Sequence, residues 1–195
     1  MRWKRSAKIV ATVHGLDWQR AKWGRAARRV LQWGEAAAAL FPHETVVVSK
    51  HLQRYYSEHY GKETSFIPNG VVLTERVPAR LIREKWGLEP GSYLFFASRL
   101  VPEKNGHDLI AAYQNLKTDK KLVIAGASWH SDDYVKKLKK LAAGNTKIIF
   151  AGWAEGELLK ELFSNAYFYC LPSQIEGLSL SLLEAMSYGT CVLVS

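Results

Sequence analysis

Short, almost unbroken apolar runs recur along this 195-residue chain, each followed by a stretch with helical spacing. That alternation restricts the fold more than any other feature. Residues 45–48 (TVVV), 93–97 (YLFFA), 121–125 (KLVIA), 147–150, 167–171 and 191–194 read as strands, with 8–13 and 65–67 as further short ones. Strands buried on both faces stay apolar throughout, and they need parallel neighbours joined by crossover helices. Helices are expected over about 18–40, from Ser49 as N-cap to about 60, and over 81–86, 105–116, 132–141, 155–165 and 179–188. The fold class is therefore α/β, with two Rossmann-like sets of parallel strands.

Pro68-Asn69-Gly70 is a strong turn signal, and residues 71–78 show little periodicity, as an interdomain linker would. The boundary is placed there, giving domains 1–72 and 73–195. The chain starts in a strand and stops inside one, so both α/β sets are expected to be incomplete.

At 48% hydrophobic and 23% charged, the composition is that of a globular protein and excludes disorder as the main state. The longest apolar stretches are strand-sized, too short for a transmembrane helix. Cys170 and Cys191 both lie inside apolar runs and are expected to be small buried hydrophobes in a reducing compartment. The basic start at residues 1–5 leads into an apolar run that His14 interrupts, with no small-residue cleavage site behind it. It reads as a strand with a basic lead-in, and the protein as cytoplasmic. The net charge is +9, and residues 1–60 hold eleven Lys or Arg against Asp17, Glu35, Glu44 and Glu58. Such a bias points to an anionic partner.

The most informative stretch is 171–190, LPSQIEGLSLSLLEAMSYGT. It gives a strand end, a polar loop with Glu176-Gly177, and then a helix beginning near Leu178 and stopped by Gly189. In open α/β folds ligands bind at the carboxyl ends of strands, against helix N-termini whose free N–H groups seat a phosphate. Glu184, about one and a half turns inside such a helix, can accept hydrogen bonds from ribose hydroxyls, while Glu176 can reach a sugar. Residues 97–106, ASRLVPEKNG, end a strand with Arg99 and Lys104, two cations suited to a diphosphate.

These stretches resemble the signature of the retaining GT-B glycosyltransferases, the family 4 or group 1 class. Its hallmark is a pair of glutamates separated by seven residues, here Glu176 and Glu184, within P-S-x-x-E-G and L-E-A-M-x-x-G. Residues 65–71 (SFIPNGV) look like the family's passage between domains, and Val13-His14-Gly15 like its strand-end histidine. The run 14–18 (HGLDW), with Lys22-Trp23-Gly24, further resembles the rhamnosyltransferase-like branch. Where the family commonly has a glycine two residues after the Glu-Gly pair, this chain has Ser179. The family's first βαβ unit and its C-terminal helix have no counterpart in this sequence.

The resemblance implies two facing Rossmann-like domains, the second binding the donor. It implies retaining transfer of a hexosyl or deoxyhexosyl unit from a nucleoside diphosphate sugar to a hydroxyl, in cell-surface polysaccharide or glycolipid synthesis. Catalytic roles fall to Glu176, Arg99, Lys104 and His14; Glu184, Gly177, Leu178 and Ser179 hold the donor. In the family, loops such as those at Gly126 and Gly152 hold base and ribose, although both glycines are equally explained as turn residues. No cofactor or metal is implied, since Asp132 and Asp133 are adjacent and form no Asp-x-Asp motif. A UDP- or dTDP-sugar is favoured over a GDP-sugar, and the acceptor is lipid-linked or a saccharide. The basic segment 18–33, with Trp18, Trp23 and Trp33, suits an inner-leaflet membrane contact or a solvated helix face, and not nucleic acid. A nucleotide-sugar epimerase of the same fold, and a non-catalytic nucleotide- or membrane-binding fragment, are the alternatives.

Overall fold

The computed structural model describes residues 7–20, 23–128 and 132–195. The basic start at residues 1–5, and Lys22, lie outside the described residues. The chain divides into two compact units, one comprising residues 1–70 with 175–179 and the other residues 71–174 with 180–195.

The first unit holds a three-stranded parallel sheet of β1 (Val10–Val13), β2 (Glu44–Val47) and β3 (Ser65–Phe66), in that order. The helix expected over 18–40 is shorter than its pattern. Asp17–Gln19 forms a 3-10 turn, Gly24 is extended, and α1 runs only over Arg25–Leu40. The second helix, α2 (Lys50–Tyr60), starts where expected, because the Ser49 hydroxyl accepts the Leu52 N–H at 3.2 Å. Val47, Val48, Leu52 and Tyr56 pack with Leu16 and Ala39 into one small core.

The second unit contains a five-stranded, wholly parallel sheet in the order β6-β5-β4-β7-β8. Its strands are β4 (Tyr93–Ala97), β5 (Lys121–Ala125), β6 (Ile148–Gly152), β7 (Phe168–Leu171) and β8 (Cys191–Val194). The helices are α3 (Leu81–Trp86), α4 (Gly106–Gln114), α5 (Asp132–Leu141), α6 (Gly156–Ser164) and α7 (Leu180–Ser187).

Successive side chains of a strand point to opposite faces, and here both faces are covered. Tyr93, Phe95, Ala97, Val123 and Ala125 pack on one face with Ile82, Leu162, Phe163 and Ala185. Phe96, Leu122 and Ile124 pack on the other with Ile110, Tyr113, Tyr134 and Leu138. This is why YLFFA and KLVIA are apolar at every position but the first Lys. The Glu161 carboxylate, buried on α6, accepts the backbone N–H groups of Arg80 (2.9 Å) and Ile82 (3.1 Å) and so caps α3.

Two expectations need correction. Cys170 is buried, and burial pushes its thiol up to about 11, but Cys191 is exposed. Its strand β8 lies at the sheet edge, paired among the described residues only with β7. Asn105, expected inside a helix, stands just before α4 with φ of 52°, a left-handed conformation that no helix interior accommodates. No helix among the described residues is long and apolar enough to cross a membrane.

Candidate functional site in the second unit

The chain runs from β4 outward to β5 and β6, then returns to the other side of β4 for β7 and β8. The strand order therefore reverses between β4 and β7, the switch point outside which open α/β sheets bind ligands. β4 and β7 are paired there, with Phe95 opposite Tyr169. The segment after β4 carries Arg99 and Lys104, and the segment after β7 leads into α7.

Backbone hydrogen bonds lash these loops together. Ser98 N–H donates to Ala125 O at 3.2 Å, Leu100 N–H to Ala127 O at 3.1 Å, and Gly126 N–H to Gly152 O at 2.7 Å. Gln174 N–H, beyond β7, donates to Glu103 O at 3.1 Å. Gly126 lies so close to the strand beside it that an added Cβ would sit 1.9 Å from the Ser98 carbonyl oxygen, and its φ is 138°. Only glycine fits, so the residue is more than a turn former. The loops at Leu100, Gly126, Ala127, Gly152 and Trp153 enclose a cavity of about 500 Å³, reaching Lys136 and Lys139 on α5.

Arg99 is exposed and Lys104 half-buried, at the end of a 3-10 turn over Pro102–Lys104. Glu103 between them is 6% exposed and faces inward. One oxygen of the buried Glu103 carboxylate, Oε2, has no hydrogen-bond partner among the described residues.

α7 begins at Leu180, two residues after the expected start, so Leu178 and Ser179 precede the helix and Glu184 sits about one turn in. Glu184 is half-buried, and the loss of hydration raises its carboxyl above the usual glutamate value. The Ser187 hydroxyl donates to Glu184 O at 2.8 Å, and the Arg76 guanidinium donates to Tyr188 O (3.0 Å) and Gly189 O (2.8 Å). Arg76 therefore closes the carboxyl end of α7, which the sequence pattern gave no reason to expect. Tyr169 is equally unforeseen. Its buried hydroxyl donates to Ala97 O at 2.9 Å and pairs with Ser181 Oγ at 2.7 Å, tying the end of β4 to the first turn of α7.

The remaining predicted residues lie in the first unit. His14 is exposed just beyond β1, and Glu176 is exposed in the segment 175–179. Gly177 crosses the histidine's backbone. A Cβ there would lie 2.0 Å from His14 O and 3.2 Å from Val48 Cγ2. Leu178 packs on the core of this unit, and its carbonyl oxygen accepts from Asn69 Nδ2 at 2.8 Å. Glu35 of α1 holds Trp18, four residues beyond His14. This carboxylate accepts from Trp18 Nε1 (2.7 Å), Tyr55 OH (2.7 Å) and Tyr60 OH (2.8 Å). Burial, then the bond to Glu35, pushes the Tyr60 phenol up to about 12.

The comparisons with known proteins follow the same division. The profile described as Glycosyltransferase Family 4 matches residues 1–75, and that described as Glycosyl transferases group 1 matches residues 79–195. An uncharacterized glycosyltransferase of Methanocaldococcus jannaschii is 36% identical over 104 residues, covering 52% of this chain and 26% of its own length. An α-1,3-galactosyltransferase of Escherichia coli, acting with UDP-Gal on GlcNAc-diphosphoundecaprenol, is 27% identical over 202 residues, covering 96% and 51%. The chain thus spans from about a quarter to about half of these relatives' length. Among solved structures, the Anabaena HepE protein in complex with UDP and glucose superposes with a TM-score of 0.80 at 21% identity, over 96% of this chain and 52% of that one. Sucrose-phosphate synthase from Thermosynechococcus elongatus gives 0.77 at 22%, over 95% and 49%. At this identity the likeness shows the fold, the GT-B class with two Rossmann-like parallel sheets. The group 1 profile alone covers more than half of the sequence, and the chain therefore belongs to the glycosyl transferases group 1 family.

Proposed function

We propose that this chain carries the donor-binding machinery of a retaining glycosyltransferase, which moves a hexosyl or deoxyhexosyl unit from a nucleoside diphosphate sugar to a hydroxyl acceptor. The observation that carries this reading is the switch point between β4 and β7. There the Tyr169 hydroxyl joins Ala97 to Ser181, so the loop of Arg99 and Lys104 and the helix of Glu184 share one sheet edge. In the reaction the anomeric carbon's bond to the diphosphate breaks and its bond to the acceptor oxygen forms on the same face. The departing diphosphate takes the acceptor's proton.

Arg99 and Lys104 would compensate charge growing on that diphosphate, an interaction stronger in the transition state than in the ground state. Glu184 would accept from the ribose hydroxyls, Glu176 would orient the donor sugar, and His14 would line it. Backbone N–H groups of Gly177, Leu178 and Ser179 would serve the phosphates. The cavity at Gly126 and Gly152 has the size and mixed lining of a base and ribose site.

A metal-independent reaction with a UDP- or dTDP-sugar fits this arrangement, and the Glu176–Glu184 spacing supports retention. The rhamnosyl reading rests on the sequence of residues 14–18, with Lys22, Trp23 and Gly24. Lipid-linked or saccharide acceptors at the cytoplasmic membrane face fit the exposed Arg25, Arg28, Arg29, Val30 and Trp33 on α1. A role in cell-surface polysaccharide or glycolipid synthesis follows from such acceptors.

The test is calorimetric titration of UDP-, dTDP- and GDP-sugars into the wild type, Arg99→Ala and Glu184→Ala. Binding of one donor, weakened about tenfold or more in each variant, is expected. A folded wild type that binds none of them defeats the reading. Retention is checked by NMR of the product's anomeric proton; an inverted product refutes that part.

A further inference from the structure

The turn between β4 and α4 leaves its own polar groups unsatisfied. Asn105, immediately after Lys104, has φ of 52° and ψ of 31°, the only left-handed residue other than glycine among the described residues. It stands at the N-cap position of α4. There an asparagine ordinarily has an extended backbone, and its side-chain oxygen accepts an N–H of the helix's first turn. Here the side chain makes no capping bond. Asn105 is 8% exposed, and its Oδ1 has no hydrogen-bond partner among the described residues.

Other groups stand in for the missing cap. Asp108 N–H donates to the Asn105 backbone carbonyl at 3.1 Å, and His107 N–H to the Tyr134 hydroxyl of α5 at 3.3 Å, a long bond. Two further groups share the condition of Asn105. Glu103 Oε2 is buried without a partner among the described residues, and so is Ser173 Oγ. Ser173 precedes Gln174, whose N–H donates to Glu103 O at 3.1 Å, so the two loops are joined. Buried polar groups are rarely left unpaired, and three of them in two bonded loops mark stored strain beside the donor site. None of the three atoms reaches the surface, so no ligand pairs with them as they stand. Their partners have to come from a rearrangement of the chain itself.

For Asn105 the local geometry defines that rearrangement. α4 is fixed, with Ile110 and Tyr113 in the core and Gly106 so placed that a Cβ would touch Leu138 and Phe96 at 3.5 Å. Rotation of Asn105 into the extended region therefore leaves α4 in place and swings Lys104 and the 3-10 turn before it. The same rotation offers Oδ1 to the N–H groups of His107 and Asp108, the two donors that an N-cap side chain serves. One cap bond and one left-handed residue separate the two states. Both are small terms, so a ligand with unequal affinity for the states decides between them.

We infer that Asn105 is a positioning residue of the donor site: donor binding rotates it from the left-handed state to an extended, capped one, and the rotation carries Lys104 onto the diphosphate. The inference rests on the transferase reading, which assigns Lys104 to that group. The diphosphate's negative charge favours whichever state brings the ammonium closer, and this supplies the unequal affinity.

The test is UDP titration of isotope-labelled wild type, Asn105→Gly and Asn105→Ser, followed by calorimetry and by the backbone carbon NMR shifts of residue 105. In the wild type these shifts should begin at left-handed values and move to extended ones as UDP saturates. Glycine takes the left-handed state without cost and has no capping side chain, so Asn105→Gly should weaken UDP binding. Serine is disfavoured in the left-handed state and caps as well as asparagine, so Asn105→Ser should tighten it. The two variants should differ about tenfold in affinity, with the wild type between them. A residue needed only for a left-handed turn gives the reverse order, with Asn105→Ser the weakest. That reverse order, equal affinities in all three proteins, or wild-type shifts that stay left-handed with UDP bound would each overturn the switch and leave the donor site standing. A folded wild type that binds no UDP removes the transferase reading and the switch together.

Discussion

The hydroxyl of Tyr169 on β7 stands 2.7 Å from the Ser181 hydroxyl in the first turn of α7, and the same oxygen donates to the Ala97 carbonyl at the end of β4. One buried phenol thus spans the switch point and sets the spacing between the Arg99 loop and the Glu184 helix.

Tyr169→Phe removes that spacer without changing the ring packed against Phe95 and Phe163. The Ala97 carbonyl and Ser181 hydroxyl then lose a partner in a dry setting, which costs about 1–3 kcal/mol. Thermal unfolding should show that loss, and donor affinity should fall with it. An unchanged Tm together with unchanged donor affinity would show that the bridge does not position the site.

Glu184 gives a pH-dependent signature. Its folded-state carboxyl is raised by burial, so the folded protein prefers the protonated form, and stability from this residue is fully present in acid and lost as the pH rises through the raised value. Glu184→Gln removes the penalty. Its Tm should exceed that of the wild type at neutral pH, and the gain should vanish below the ordinary glutamate range, while donor binding weakens. A gain that instead grows in acid would contradict the sign.

The two glycine crossings should be intolerant of any side chain. Gly126→Ala places a methyl 1.9 Å from Ser98 O, and Gly177→Ala places one 2.0 Å from His14 O. Backbone must move in both, and each is expected to cost more than about 2 kcal/mol in denaturant unfolding. Gly70→Ala, with nothing within 4 Å of its Cβ position, is the control and should be nearly neutral.

Thiol chemistry should separate the cysteines. Native protein should take up one equivalent of an alkylating reagent, at exposed Cys191, because burial protects Cys170 and holds its thiol near 11. Peptide mapping after labelling decides it, and modification at Cys170 before unfolding would be incompatible with the packed sheet.

The Glu161 cap is a stability test away from the site. Glu161→Ala strips the acceptor from the Arg80 and Ile82 N–H groups, the latter buried, and leaves a hole beside Tyr93. A loss of about 2–4 kcal/mol is expected by calorimetric unfolding. A loss well below that range would mean that water replaces the carboxylate.

Apolar runs such as YLFFA and KLVIA determined the parallel sheet by themselves, since a strand covered on both faces must be apolar at successive positions whatever its neighbours are. Ser49 likewise determined its helix start through a bond to a residue three positions away. The motifs around Arg99, Lys104, Glu176 and Glu184 were legible for the same reason, being contiguous. Only the tertiary structure decided what those motifs lean on. Tyr169 reaches Ser181 and Ala97, Arg76 reaches Gly189, and Gly177 meets His14. Each of these depends on residues brought together by strand order and helix packing, and pairings between distant segments leave no periodicity in a single sequence. The exposure of Cys191 was decided the same way, because an apolar strand reads alike at the centre and at the edge of a sheet, and only its neighbours tell the two apart.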